Sequence, residues 1–195
     1  MIGRADESSK TSADETPPSR FAVALGMGGQ TVTGNRGLVW KQTSPDYEFK
    51  ALDYLTSQIA VDLRVSSLTE MNQAEPGFQL NTSLVRVGLD FIYYGDLHSV
   101  APALSFMSPF ASIGGGIYYK SDSANNSATT SESPFGMSLG AGLKFELTHR
   151  ISLELAERWD SVKFNDTYTT LYTADGVPDL TGQFFNTSAS IVVSL

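Results

Sequence analysis

The 195-residue chain carries 21 acidic and 13 basic residues, a net charge of −8, and no cysteine. The acidic balance, with no cluster of Lys or Arg, argues against a nucleic-acid partner, and the missing thiols exclude disulfides and thiolate metal sites. No run of about 18 apolar residues occurs, so no transmembrane helix is expected; membrane strands need only every second residue apolar and escape that test.

Residues 1–20, MIGRADESSKTSADETPPSR, mix charges with Ser, Thr and Pro and hold no apolar run. They read as a disordered leader, and they lack the apolar core of a signal peptide. From residue 21 to 195 the chain reads as one barrel domain, because apolar residues recur with a period of two. The first segment, 20–32, sets Phe21, Val23, Leu25 and Met27 against Ala22, Ala24, Gly26 and Gly28. A second strand is inferred within 37–51, where Pro45 weakens the pattern. Residues 54–66 set Leu55, Ile59, Val61, Leu63 and Val65 against Thr56, Gln58, Asp62 and Arg64. Residues 82–94 and 106–120 follow the same rule, with Arg86, Gly88 and Asp90 on one minor row and Ser112, Gly114 and Gly116 on the other. The stretch 133–164 supplies two strands joined by Thr148-His149-Arg150, and 183–194 supplies the last.

Short turns alternate with long polar connections near 68–81, 121–133 and 164–182, which suits an up-and-down barrel with short turns on one side of a membrane. The fold class expected is all-β: an eight-stranded antiparallel transmembrane barrel. Three features point the apolar row at lipid. The other row is rich in Gly, Ala and Ser, which suits a crowded lumen. The apolar rows run for about 9 to 11 residues, enough to cross a bilayer. Phe21, Tyr93, Tyr119, Phe135, Trp159 and Phe185 stand near their ends, as interfacial girdles do.

GLKFELTHRISLELAERW resembles the sixth-to-seventh strand hairpin of the OmpA-type small outer-membrane barrels, and PFASIGGGIYYKSD is similar to that family's fifth strand. FAVALGMGGQT resembles its first strand and IAVDLRV its third, so the likeness spans most of residues 21–195 in order. It implies a location in the outer membrane of a Gram-negative bacterium, with outer-membrane lipid as the partner. The terminal residue, Leu195, departs from the family's terminal aromatic, and the likeness does not include the peptidoglycan-binding domain often fused to such barrels.

With the apolar row outward, the lumen receives Asp62, Arg64, Arg86, Asp90, Lys144, Glu146, Glu154 and Arg158. Four acids balance four bases, as a narrow, poorly hydrated interior requires. A three-residue turn pairs Leu147 with Ile151, which puts Lys144 opposite Glu154, an expected ion pair, and Gly140 opposite Arg158, with room for the guanidinium. The family resemblance further implies a gate-like network, for which Asp62, Arg86, Lys144 and Glu154 are the corresponding candidates. Small inner residues (Ala24, Gly26, Gly28, Ser112, Gly114, Gly116, Ser188 and Ser190) leave open a lumenal cavity for a lipid or other small ligand; relief of strain at strongly curved strands is the preferred account of the glycines. Glu157 has outward parity, which leaves two placements: near the headgroups beside Trp159, or turned inward by a bulge.

His98 and His149 are the only histidines, both in turns, without a Ser/acid constellation or ligand-spaced neighbours. No catalytic role, metal or cofactor is expected. The expected function is that of a monomeric structural barrel with a plugged lumen. A lipid-holding barrel, a narrow gated pore and a loop-mediated adhesin remain alternatives.

Overall fold

The computed structural model describes residues 20–34, 36, 44–75, 78–97, 101–124, 129–165 and 182–195. The expected leader lies outside them apart from Arg20. Nine strands are present among the described residues: β1 (Phe21–Thr33), β2 (Ser44–Tyr54), β3 (Ile59–Glu75), β4 (Phe78–Tyr94), β5 (Met107–Ala124), β6 (Thr130–Glu132), β7 (Phe135–Glu146), β8 (Ile151–Val162) and β9 (Gly182–Ser194). Eight of them form the wall in the order β4-β3-β2-β1-β9-β8-β7-β5, and β4–β5 pairing closes the ring. Every pairing is antiparallel. Closure matters because an open edge in hydrocarbon would leave backbone N–H and C=O groups with no partner. The short β6 extends the ring beyond the wall on β5 and is separated from β7 by Ser133 and Pro134; Pro134 has no N–H for a ladder, but its carbonyl accepts from Tyr118 N at 3.0 Å.

The second strand is sharper than its sequence suggests. It runs from Ser44 to Tyr54, three residues beyond the expected limit, so residues 55–58 form a turn rather than the start of β3. The connection expected at 68–81 is also corrected: β3 and β4 continue through it as a paired ribbon to Glu75 and from Phe78, with a register shift between Leu68 and Met71. Strand β5 likewise runs on to Ala124, into the expected loop 121–133. Most of the connection expected at 164–182 lies outside the described residues.

Two of the short turns share a sequence, Leu55-Thr56-Ser57-Gln58-Ile59 and Leu147-Thr148-His149-Arg150-Ile151. They also share a structure. In each, the Thr Oγ1 accepts from the two N–H groups that follow, Gln58 and Ile59 at 3.2 and 3.0 Å, Arg150 and Ile151 at 3.2 and 3.0 Å. The Leu N donates to the Ile carbonyl across the turn at 2.9 and 3.0 Å. A threonine hydroxyl thereby supplies locally the hydrogen bonds that a tight reversal removes from the ladder.

The odd rows face outward: Leu25 is 70% exposed, Phe135 68% and Met137 61%. Apolar side chains this exposed, all around a closed barrel, are what a hydrocarbon solvent accommodates and water does not. Phe21, Tyr93, Tyr119, Phe135 and Phe185 are exposed on this face, and Trp159 is partly exposed beside them.

The inner face is layered. At the end bearing the short turns, Ala22, Ala24, Leu52, Ala60, Ile92, Tyr94, Phe110 and Val192 pack into an apolar floor. At the other end, Val32, Leu84, Tyr118, Val162, Phe164 and Phe184 are buried, with Phe164 edge-on to Phe184 at 6.1 Å. Between these layers lie most of the buried charges.

A charged layer inside the barrel

Strand β2 places Glu48 and Lys50 at the centre of this layer, because Tyr47 and Phe49 occupy its outer row. The Lys50 ammonium lies between two carboxylates, 3.2 Å from Glu48 Oε1 and 3.0 Å from Glu154 Oε2. Glu154 Oε1 accepts from Tyr94 Oη at 3.0 Å. Glu48 Oε1 also accepts from Ser188 and Ser190 at 3.1 and 2.5 Å, and Arg64 and Arg158 approach its Oε2 at 3.7 Å. Buried charge is tolerable only with this density of partners.

The remaining pairs extend the layer around the lumen. Arg64 binds Asp62 at 2.7 Å and approaches Asp90 at 3.5 Å. Arg86 binds Asp90 at 2.7 Å, Ser138 Oγ at 2.9 Å and Tyr118 Oη at 3.1 Å. Arg158 binds Asp160 at 3.1 Å, and Asn186 Nδ2 donates to the same carboxylate at 2.7 Å. Room for Arg86 comes from Gly88, where an added Cβ would meet the guanidinium at 2.6 Å.

Six of the charges singled out from sequence (Asp62, Arg64, Arg86, Asp90, Glu154 and Arg158) are buried in this layer. The other two are corrections. Glu146, the last residue of β7, is exposed beside the turn because the wall ends there. Lys144 faces Glu154 in register as expected, yet its ammonium turns to Tyr54 Oη at 3.1 Å and lies over the Tyr54 and Tyr94 rings at 4.9 and 5.2 Å. Lys50 holds Glu154 instead. Gly140 stands across from Arg158 as expected, but a Cβ there would meet Ser112 Oγ, and the guanidinium is directed to Asp160 and Glu48.

The small inner residues considered for a ligand cavity stand close to their neighbours. A Cβ on Gly26 would run into Ser190 and Glu48, on Gly28 into the Thr187 carbonyl, on Gly114 into Asp90, and on Gly116 into the Val87 carbonyl. Ala24 is buried in the floor, Ser188 and Ser190 are tied to Glu48, and Ser112 fills the place beside Gly140. These small residues admit the neighbouring strands and charges at close approach.

Sequence reasoning missed Asp46, Glu48, Lys50 and Asp160. The signal was present: 46, 48 and 50 share a parity opposed to Tyr47 and Phe49, and Asp160 shares that of Glu154 and Arg158. Glu157 is exposed on the outer face, between Ala141 and Thr187 in register. His149 is exposed in its turn, and His98 lies outside the described residues. Among the described residues, no group of three or more His, Cys, Asp or Glu is placed to hold a metal ion.

No family model matches the chain, and no curated protein matches it by sequence. Solved structures do. Neisserial surface protein A superposes with a TM-score of 0.68 at 12% identity, over 91% of this chain and 98% of that one. Ail, the attachment invasion locus protein of Yersinia pestis, gives 0.56 at 12% identity, over 88% and 97%. The N-terminal β-barrel domain of Pseudomonas aeruginosa OprF gives 0.51 at 12% identity, over 88% and 96%. With an apolar exterior, a closed antiparallel ring and these likenesses, the chain has the fold of the small eight-stranded transmembrane β-barrels of outer membranes.

Proposed function

We propose that the protein is a non-catalytic, monomeric barrel of a Gram-negative outer membrane, surrounded by lipid, with a structural role and a lumen plugged by its charged layer. The observation that carries this reading is Lys50, locked between Glu48 and Glu154 across the centre of the lumen at 3.2 and 3.0 Å. The apolar side chains buried toward each end of the lumen, Ala22 to Val192 at one and Val32 to Phe184 at the other, support it. Planar-bilayer recording of the refolded chain tests the reading. The expected result is an absence of unitary conductance in the unmodified protein and its appearance in Lys50→Ala. Steady channels in the unmodified protein would sink it.

One observation favours a second reading, a narrow gated pore. Lys50 has two carboxylate partners, and Glu48 has two further cations at 3.7 Å in Arg64 and Arg158. A cation shared between acids can transfer its weight from one to the other. Brief openings in the unmodified protein, prolonged by Glu154→Gln, would identify the pore.

A further inference from the structure

The outer row of β8 does not stay apolar to its end. Beyond Leu155 it reads Glu157, Trp159, Ser161 and then Lys163, one residue past the strand. Ser161 stands in register between Met137 of β7 and Gln183 of β9, with Trp159 and Lys163 before and after it on its own row. A short side chain among long ones leaves a depression in the wall. A groove of about 710 Å³ lies there, within the size range of ligand clefts.

The two ends of the groove differ in chemistry. Ile113, Leu139 and Trp159, in register on β5, β7 and β8, line it toward the middle of the wall. Ser161, Gln183 and Lys163 line it toward the rim away from the Thr56 and Thr148 turns. Lys163 is exposed and forms no ion pair among the described residues, unlike Lys50, Arg64, Arg86 and Arg158 inside the barrel. Four residues carry it about 13 Å farther along the chain than Trp159. With Trp159 in the aromatic girdle, that is the level of lipid headgroups, where a lysine stem lies on apolar surface and its ammonium stays in water. Glu157 stands outside the groove, two residues before Trp159, and repels an anion from that side. Two other grooves on the outer wall, one along Leu25, Phe49 and Ile191 and one around Glu157, carry no basic residue.

We propose that this groove seats one phosphate-bearing anionic lipid of the leaflet on the long-connection side. Its phosphate lies on Lys163, with Ser161 and Gln183 as further hydrogen-bond donors, and an acyl chain lies against Ile113, Leu139 and Trp159. Such a seat rests on the outer-membrane reading above and adds to it a preference for one class of lipid at one place on the wall.

The test places the full chain in vesicles of phosphatidylcholine and phosphatidylglycerol, with Trp40→Phe so that Trp159 is the one tryptophan left. One lipid at a time carries brominated acyl chains, which quench tryptophan on contact, and the two series give the relative affinity of the lipids beside Trp159. About a 5-fold preference for phosphatidylglycerol is expected, the factor for one basic residue near an anionic surface. The net charge of −8 opposes any general attraction, so a preference reports the local cation. Lys163→Gln should abolish it and Lys163→Arg should keep it. Arg150→Gln, in the turn at the other end of the barrel, should leave it unchanged. Strong quenching by both lipids with equal affinity would overturn the lipid seat alone, and so would a preference that survives Lys163→Gln. Absence of quenching by either lipid would overturn the membrane reading, and the seat with it.

Discussion

Replacing Lys50 by Met removes an ammonium shared by two buried acids while keeping the length and bulk of the side chain. In the unmodified protein it lies 3.2 Å from Glu48 and 3.0 Å from Glu154, all three side chains being about 1% exposed. Removing one member of a buried ion pair typically costs about 3–5 kcal/mol, because the stranded charge keeps its desolvation penalty and loses its compensation. The two acids are not equally stranded. Glu48 retains Ser188, Ser190 and two guanidinium groups at 3.7 Å, whereas Glu154 retains only the Tyr94 hydroxyl among its hydrogen bonds. Most of the loss therefore belongs to Glu154, and Lys50→Met combined with Glu154→Gln should recover the larger part of it. Urea unfolding in phospholipid vesicles, followed by tryptophan fluorescence, gives the four free energies of the cycle. A coupling of about 2 kcal/mol or more is expected for groups in direct contact. A single-variant loss below ~1 kcal/mol, or a coupling indistinguishable from zero, would refute the account of Lys50 as the centre of the plug.

Three further outcomes test other parts of the structure. Thr148→Ala removes the acceptor of two backbone N–H groups and should cost about 0.5–1.5 kcal/mol, with Thr56→Ala behaving alike in the same unfolding assay. Gly114→Ala places a methyl group against Asp90 and the Leu89 carbonyl and should cost about 1–3 kcal/mol, visible as loss of the folded band at a lower temperature on gels; a folded band lost at the same temperature as in the unmodified chain would argue for free space there. Cysteine introduced at Leu139 should react with a lipid-phase maleimide, and cysteine at Gly140 should not; reversed labelling would invert the barrel's faces.

The faces of the barrel were legible because a strand has only two, and a single turn fixes parity for everything after it. The three residues Thr148 to Arg150 thus sufficed to put Lys144 across from Glu154 and Gly140 across from Arg158. What did not follow was who binds whom. In a barrel this narrow a side chain reaches across the lumen as readily as across one ladder. Lys50 and Glu154 are 104 residues apart and separated by β1 and β9, a relation that no local pattern encodes. Lys144 lost its expected partner to this effect and took the aromatic faces of Tyr54 and Tyr94. The second strand was blurred because Pro45 suggested a break; the proline sits on the outer row beside Gly29, where the pattern continues past it. Glu146 failed for another reason: parity gives a direction, but only the end of the wall decides whether that direction is inside.

The paired Leu-Thr-x-x-Ile turns carry a consequence for the order in which this chain acquires its structure. Each fixes a hairpin, β2–β3 or β7–β8, from bonds among five consecutive residues, and neither depends on the lumen. The central charges obey the opposite rule, since Glu48 and Lys50 belong to the first of those hairpins and Glu154 to the second. Loop closure over such a separation is slow compared with local hairpin formation. The hairpins are accordingly the early pieces, and the β1–β9 seam between them is the late one. Until that seam zips, Glu154 stands in a separate fragment from Lys50, which keeps only the Glu48 of its own strand. A half-built barrel is therefore poorly suited to lipid, and commitment to the membrane comes as one cooperative step.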